Sequence, residues 1–178
     1  SSQDGTQTSA DCPFQPVHNP DFGVTYVNVP LEGNISTNDK PTPGSTYGNP
    51  VPDPSNPSNC MPVISSNGAY TFTCATPGVY VFNIQVCEPT PATLCKTVPL
   101  TITVLDPNDL TTAPVANPDY AVTKVNTAVT IPVKSNDKCQ NGPSCTLGTP
   151  SVVTAPANGS FNPATGVYTP NTNFVGKD

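Results

Sequence analysis

Two stretches of the chain alternate apolar and polar residues strongly enough to read as half-buried strands. They are Val79-Tyr80-Val81-Phe82-Asn83-Ile84-Gln85-Val86 and Thr97–Leu105. Joined by the segment around Cys87 and Cys95, they predict an antiparallel hairpin. Weaker patterns predict a strand over Val24–Leu31, with Val24, Tyr26 and Asn28 on one face and Thr25, Val27 and Val29 on the other. Two short strands, Met61–Ser65 and Ala69–Thr73, flank Asn67-Gly68, a hairpin turn signal. Pro41–Asn59 is rich in proline and glycine with little apolar content and predicts a long loop. No window shows a 3.6-residue apolar period, and 24 prolines and 12 glycines oppose helix almost everywhere. The expected fold class is all-β.

The pattern then recurs. Asn19-Pro20-Asp21-Phe22-Gly23-Val24-Thr25 overlays Asn117-Pro118-Asp119-Tyr120-Ala121-Val122-Thr123, a shift of 98 positions, and Asn38-Asp39-Lys40 overlays Asn136-Asp137-Lys138. Carried without a gap from Asp11 to Tyr80, the shift gives 19 identities in 70 positions. Such a period indicates a tandem array of one unit, and arrays read as stalks or filaments before they read as enzymes. A unit of this size suits one small β-sandwich of Ig-like or cadherin-like type. The expected layout is a linker from a preceding unit over 1–12, a first repeat over 13–106, a linker over 107–113 and a second repeat over 114–178. In the second repeat, strands are expected at Ala121–Val133, Ser151–Thr154, Ser160-Phe161 and Gly166–Thr169. Asp178 overlays Tyr80, so the counterpart of the final hairpin falls outside these 178 residues. We therefore expect this sequence to be a portion of a longer protein. Ser1 to Asp11 lacks the basic and apolar stretches of a signal peptide.

Composition narrows the function classes. Apolar residues make up 35% of the chain, and the polar remainder is mainly Thr, Ser, Asn and Pro rather than charge. That favours short strands and many turns over charge-driven disorder. The net charge is −6, with lysine but no arginine, which disfavours nucleic acid and anionic membranes as partners. No apolar run approaches the ~20 residues needed to span a bilayer as a helix.

Seven cysteines are arranged in apparent pairs. Cys60 and Cys74 lie symmetrically about Asn67-Gly68 and should face each other across a hairpin. Both are replaced in the second repeat, by Asn158 and Thr172. Cys139 and Cys145 close a short loop and are both absent from the first repeat, where Pro41 and Tyr47 stand. Cys87 and Cys95 flank the loop Glu-Pro-Thr-Pro-Ala-Thr-Leu between the two strands of the predicted final hairpin. Paired gain and loss is what disulfides require, and disulfides place the chain in an oxidising compartment, extracellular or periplasmic. Zinc is the competing reading, weakened by the absence of C-x2-C and by a single histidine, His18. Cys12 is left unpaired.

Catalytic chemistry finds little support. His18 has no nucleophile motif nearby and becomes Ala116 in the second repeat, while the twelve acids are scattered through turns and linkers. Asp106, Asn108, Asp109, Asp119 and Asp137 lie at or near the junction between repeats, where hard oxygen ligands would suit calcium. The competing reading is structural, because Asn and Asp side chains form turns by bonding to nearby backbone amides.

The second repeat runs from P-V-A-N-P-D-Y at Pro114 through S-N-D at Ser135 to N-G-S-F and G-V-Y-T-P-N-T-N-F-V-G-K-D. It resembles the Ig-like and cadherin-like tandem repeats of giant Bacteroidota surface adhesins, including the gliding-motility adhesin of flavobacteria. The resemblance implies an extracellular β-sandwich, export by the type IX route and a role in surface attachment or gliding. It also implies neighbouring repeats and the outer-membrane secretion or motility machinery as partners. Relatives carry an acid-rich loop after the N-D pair; here Lys40 and Lys138 follow instead, and Cys139 with Cys145 suggests a disulfide in place of a metal. The leading expectation is a structural and adhesive module of a long surface filament, not an enzyme. The alternatives are a module that binds surface glycans or a protein through loops such as Pro41–Asn59, and the non-catalytic stalk of a secreted hydrolase.

Overall fold

A computed structural model describes residues 16–40, 43–89, 94–111, 113–139 and 145–178. Among them every regular element is a strand: β1 (Asp21–Tyr26), β2 (Leu31–Asn34), β3 (Thr46–Pro52), β4 (Val63–Ile64), β5 (Ala69–Phe72), β6 (Gly78–Cys87), β7 (Cys95–Leu105), β8 (Val129–Thr130), β9 (Gly159–Asn162) and β10 (Val167–Pro170). The chain is all-β.

The long hairpin β6–β7 is the backbone of the first half, paired antiparallel from Gly78↔Val104 to Cys87↔Cys95. Its alternation resolves into one buried face, Tyr80, Phe82, Ile84 and Val86 on β6 with Val98, Leu100, Ile102 and Val104 on β7. Strand β1 adds to β7 in parallel and β3 adds to β6 antiparallel, giving a four-stranded sheet in the order β1-β7-β6-β3. A three-stranded sheet, β2-β5-β4, covers the buried face and contributes Tyr70 and Phe72. Phe72, Tyr80 and Phe82 form an aromatic cluster with ring centroids 5.6 to 6.4 Å apart. Each large side chain so enclosed is worth roughly 1.5–3 kcal/mol of burial, which makes this interior the main source of stability.

Two predicted elements are corrected here. Val24–Leu31 is not one strand. Asn28 takes a left-handed conformation (φ 59°) and Thr25 Oγ1 donates to Val29 O at 2.8 Å, so the chain turns after Tyr26 and crosses to the other sheet as β2. Pro30 lies between the two strands. Pro41–Asn59 is not simply a loop, because it contains β3. That strand sits at the sheet edge and its register shifts between Tyr47 and Pro50. An edge is where proline is tolerated, since the missing N–H need not face a partner.

The third sheet comes from the second half, in the order β8-β10-β9. It repeats β2-β5-β4 at positions about 98 residues on, with one slip. Ile64 pairs with Tyr70, whereas Phe161, not Asn162, pairs with Tyr168. The turn leading to Gly166 holds one residue more than the turn leading to Gly68, and both glycines adopt positive φ, 74° and 91°. Ala121–Val133 contributes only β8, and Ser151–Thr154 forms no strand. In the first half the corresponding strand β1 is held by β7. Val153 and Val175 are solvent-exposed.

Candidate functional site

The repeated N-P-D and N-D-K motifs form a backbone clasp at the start of each half. Lys40 pairs with Val17 through two backbone hydrogen bonds of 3.0 and 2.8 Å, and Lys138 pairs with Val115 through bonds of 2.8 and 3.0 Å. Asn19 N donates to Asp39 Oδ1 at 2.7 Å, and Asn117 N donates to Asp137 Oδ1 at 2.8 Å. The Asn19 side-chain amide donates to Asn38 O at 2.6 Å, and that of Asn117 donates to Asn136 O at 2.7 Å. Finally Asn38 Nδ2 donates to Pro20 O and Asn136 Nδ2 to Pro118 O, both at 3.0 Å. Four contacts recur with nearly the same geometry, so the sequence identity of these motifs has a direct structural cause. Asn and Asp serve here because their short side chains can satisfy backbone groups that no strand partner reaches.

In the first half the clasp is extended into a buried polar cluster that sequence reasoning missed. His18 Nε2 lies 3.0 Å from Glu88 Oε1, and its Nδ1 lies 3.3 Å from Asp39 Oδ2. Tyr47 OH donates to Asp39 Oδ2 at 2.7 Å, Ser45 Oγ donates to Glu88 Oε2 at 2.9 Å, and Lys96 Nζ donates to His18 O at 3.2 Å. The cluster ties the first clasp to β3 and to the β6–β7 hairpin. Burial is the main reason the Tyr47 phenol is pushed above its ordinary range, with the Asp39 carboxylate adding to it. The arrangement has the marks of a structural tie, because every acid and base in it is already engaged by a neighbour.

Asp21 follows the clasp proline and is buried. Loss of solvation, then repulsion from Asp39, raises its pKa from 3.8 to about 8. Asp119, less enclosed, is raised to about 6 by the same two causes, with Asp137 in place of Asp39. Tyr70 is raised to about 12, again mainly by burial. One groove of about 340 Å³ is lined by residues of both clasps, Asp21 and Asn38 together with Asp119 and Asn136. The two halves also touch where Tyr26, at the far end of β1, donates its hydroxyl proton to Cys139 O and lies under Lys138 Nζ, 5.8 Å from the ring centroid.

The cysteines fall into three bonds. Cys60–Cys74 extends the β4–β5 hairpin with S–S 2.06 Å, Cys87–Cys95 closes the β6–β7 hairpin at 2.09 Å, and Cys139–Cys145 follows the second clasp at 2.10 Å. Cys12 lies outside the described residues. Asp106 Oδ1 accepts from Asn108 N, and Asp109 Oδ1 accepts from Thr111 N and Oγ1. Asp137 is engaged by the second clasp, with Asp119 beside it. Hydrogen bonds from Thr111 hold the exposed Asp109 carboxyl below its ordinary range. Among the described residues, no group of three or more His, Cys, Asp or Glu converges as metal ligands would. Among the described residues no helix is long and apolar enough to cross a membrane.

Residues 108–178 match the family model of the bacterial Ig domain. Among solved structures, the chain is similar to a crystal structure of Drosophila N-cadherin EC1-4, with 14% identity and a TM-score of 0.38 over 88% of this chain. The match spans 41% of that structure's length. No curated protein matches the chain. The strand inventory makes this an all-β chain, of which residues 108–178 are similar to a bacterial Ig domain.

Proposed function

We propose that the chain is an extracellular structural and adhesive module, a stretch of Ig-like repeats within a long cell-surface filament. The observation that carries this reading is the duplicated clasp. The same four side-chain and backbone contacts recur 98 residues apart, and the second copy lies within the segment matching the bacterial Ig domain. Duplication of a framework contact suits a chain used for reach and persistence. Three disulfides support an oxidising environment. The resemblance to Bacteroidota adhesin repeats adds export by the type IX route and service in attachment or gliding, with neighbouring repeats as the immediate partners.

Beads coated with the chain and passed over glycan arrays test this directly. A repeat that supplies reach, with the sticky tip elsewhere in the filament, leaves them inert, whereas saturable capture by one glycan class would replace the filament reading with that of a ligand-binding module. Labelling of intact cells by an antibody against the segment should succeed without permeabilisation, and failure would remove the surface assignment.

A further inference from the structure

The groove of about 340 Å³ between the clasps is built from matched halves. Every second-half residue that lines it, from Pro118 to Asn136, has its counterpart 98 positions earlier in the same lining. Asp21 is matched by Asp119, Phe22 by Tyr120 and Thr37 by Ser135. Tyr70 is the one lining residue without such a mate, and its counterpart Tyr168 donates its hydroxyl to Asp178 Oδ2 at 2.8 Å instead. A head-to-tail contact would set one face of the first half against a different face of the second. Here the same face is used twice.

A second observation gives the direction. The first clasp lies at the Asp21 end of β1, where Asn38 Nδ2 donates to Pro20 O. The second clasp lies at the other end, where Cys139 O accepts from Tyr26 OH and Lys138 Nζ stands over the Tyr26 ring. With the clasps at opposite ends, the entry segments 20–24 and 118–122 run along the groove in opposed directions. Matched lining and opposed direction together are what a local two-fold axis produces. A small buried patch accompanies the contact. Val24, Leu105 and Cys139 are 2%, 6% and 5% exposed, yet they lie outside the main core. Val24 lines the groove, Leu105 sits beside Tyr26 in the β1–β7 register, and Cys139 takes the Tyr26 bond.

We propose that the clasp face is a pairing surface, through which two successive repeats join face to equivalent face about a local two-fold axis, so that the array is assembled from repeat pairs rather than from single beads in line. This rests on the reading of the chain as an array, which defines the equivalent positions. It adds the partner, a second repeat carrying the same clasp, and the surface that partner takes. A contact of this kind closes on itself, so a clasp face covered by one neighbour is occupied and the next repeat must dock elsewhere.

Distances between nitroxide labels on the full chain, measured by double electron–electron resonance in a C12S background, test the pairing. Thr37 and Ser135 are exposed equivalents on the groove, as are Glu32 and Thr130, so cysteines placed there leave the core untouched. Strand β7 has 11 residues, and at ~3.3 Å per residue a repeat is roughly 36 Å long. Beads in line separate equivalent positions by at least that length, so T37C/S135C should give a narrow distribution centred well below it. The crossed pairs carry the sharper reading. A two-fold axis makes the distances in T37C/T130C and E32C/S135C equal, whereas beads in line make them differ. A broad T37C/S135C distribution, one centred at or beyond the repeat length, or unequal crossed distances would overturn the proposal. Glycan capture by the chain would leave these distances unchanged, so the functional reading and the pairing fail separately.

Discussion

The two halves share a clasp and differ in almost everything built upon it. Residues 21–105 enclose Tyr80, Phe82, Leu100 and Ile102 completely, whereas the described residues of 119–178 form one three-stranded sheet and contribute only Cys139 to the buried apolar set. Yet Asn28 and Asn126 adopt φ of 59° and 58°, and Thr25 and Thr123 make the same 2.8 Å bond to the carbonyl four residues on. Local polar motifs therefore set the course of the chain independently of the interior. The interior then decides how much each motif matters to stability.

Substitutions can break that comparison. Phe82→Ala removes a ring from a closed core and should destabilise the first half by about 4 kcal/mol, while Phe161→Ala, on a partly exposed sheet, should cost about 1 kcal/mol. Urea unfolding followed by hydrogen exchange separates the two halves, and equal losses would contradict the difference in packing. Replacing Cys60 and Cys74 by serine should cost about 3 kcal/mol, more than the same change at Cys139 and Cys145, because the first pair closes the longer loop (14 against 6 residues).

The pH response has a definite sign. The folded-state pKa of Asp21 lies above the unfolded value of 3.8, so its contribution to stability is complete below about pH 4 and is lost as pH rises through about 8. The stability of the first half should fall across that window, and Asp21→Asn should flatten the curve. Asn28→Ala and Asn126→Ala should each cost about 1 kcal/mol, the penalty for a left-handed conformation without a suitable side chain. Near-equal values would sharpen the view that the turns act locally, and a large excess at Asn28 would show coupling to the core. Smallest of all, a chelator should leave the melting midpoint unchanged, since the junction acids are engaged by their own turns.

The legible parts of the sequence were those with strong local signals. The β6–β7 hairpin announced itself through eight alternating residues, and the clasp through identical motifs. Strand β3 was hidden because Pro50 and Pro52 usually mark loops and only its edge position makes them acceptable. The turn at Asn28 was masked by flanking valines that read as one continuous strand. Register in the second hairpin drifted by one residue because a gapless overlay cannot register an extra turn position. The His18 cluster was out of reach, its partners lying 21 and 70 residues away and meeting only once both sheets have formed.

One feature of the topology bears on how such a chain resists load. Strands β1 and β7 run side by side in the same direction, in register from Asp21↔Leu100 to Tyr26↔Leu105. The polypeptide arrives at the Asp21 end and leaves at the Leu105 end, so tension along the chain drags the two strands past one another lengthwise. Their hydrogen bonds then bear shear together instead of unzipping one by one, and this short pairing becomes the clamp that must slip before the sandwich can open.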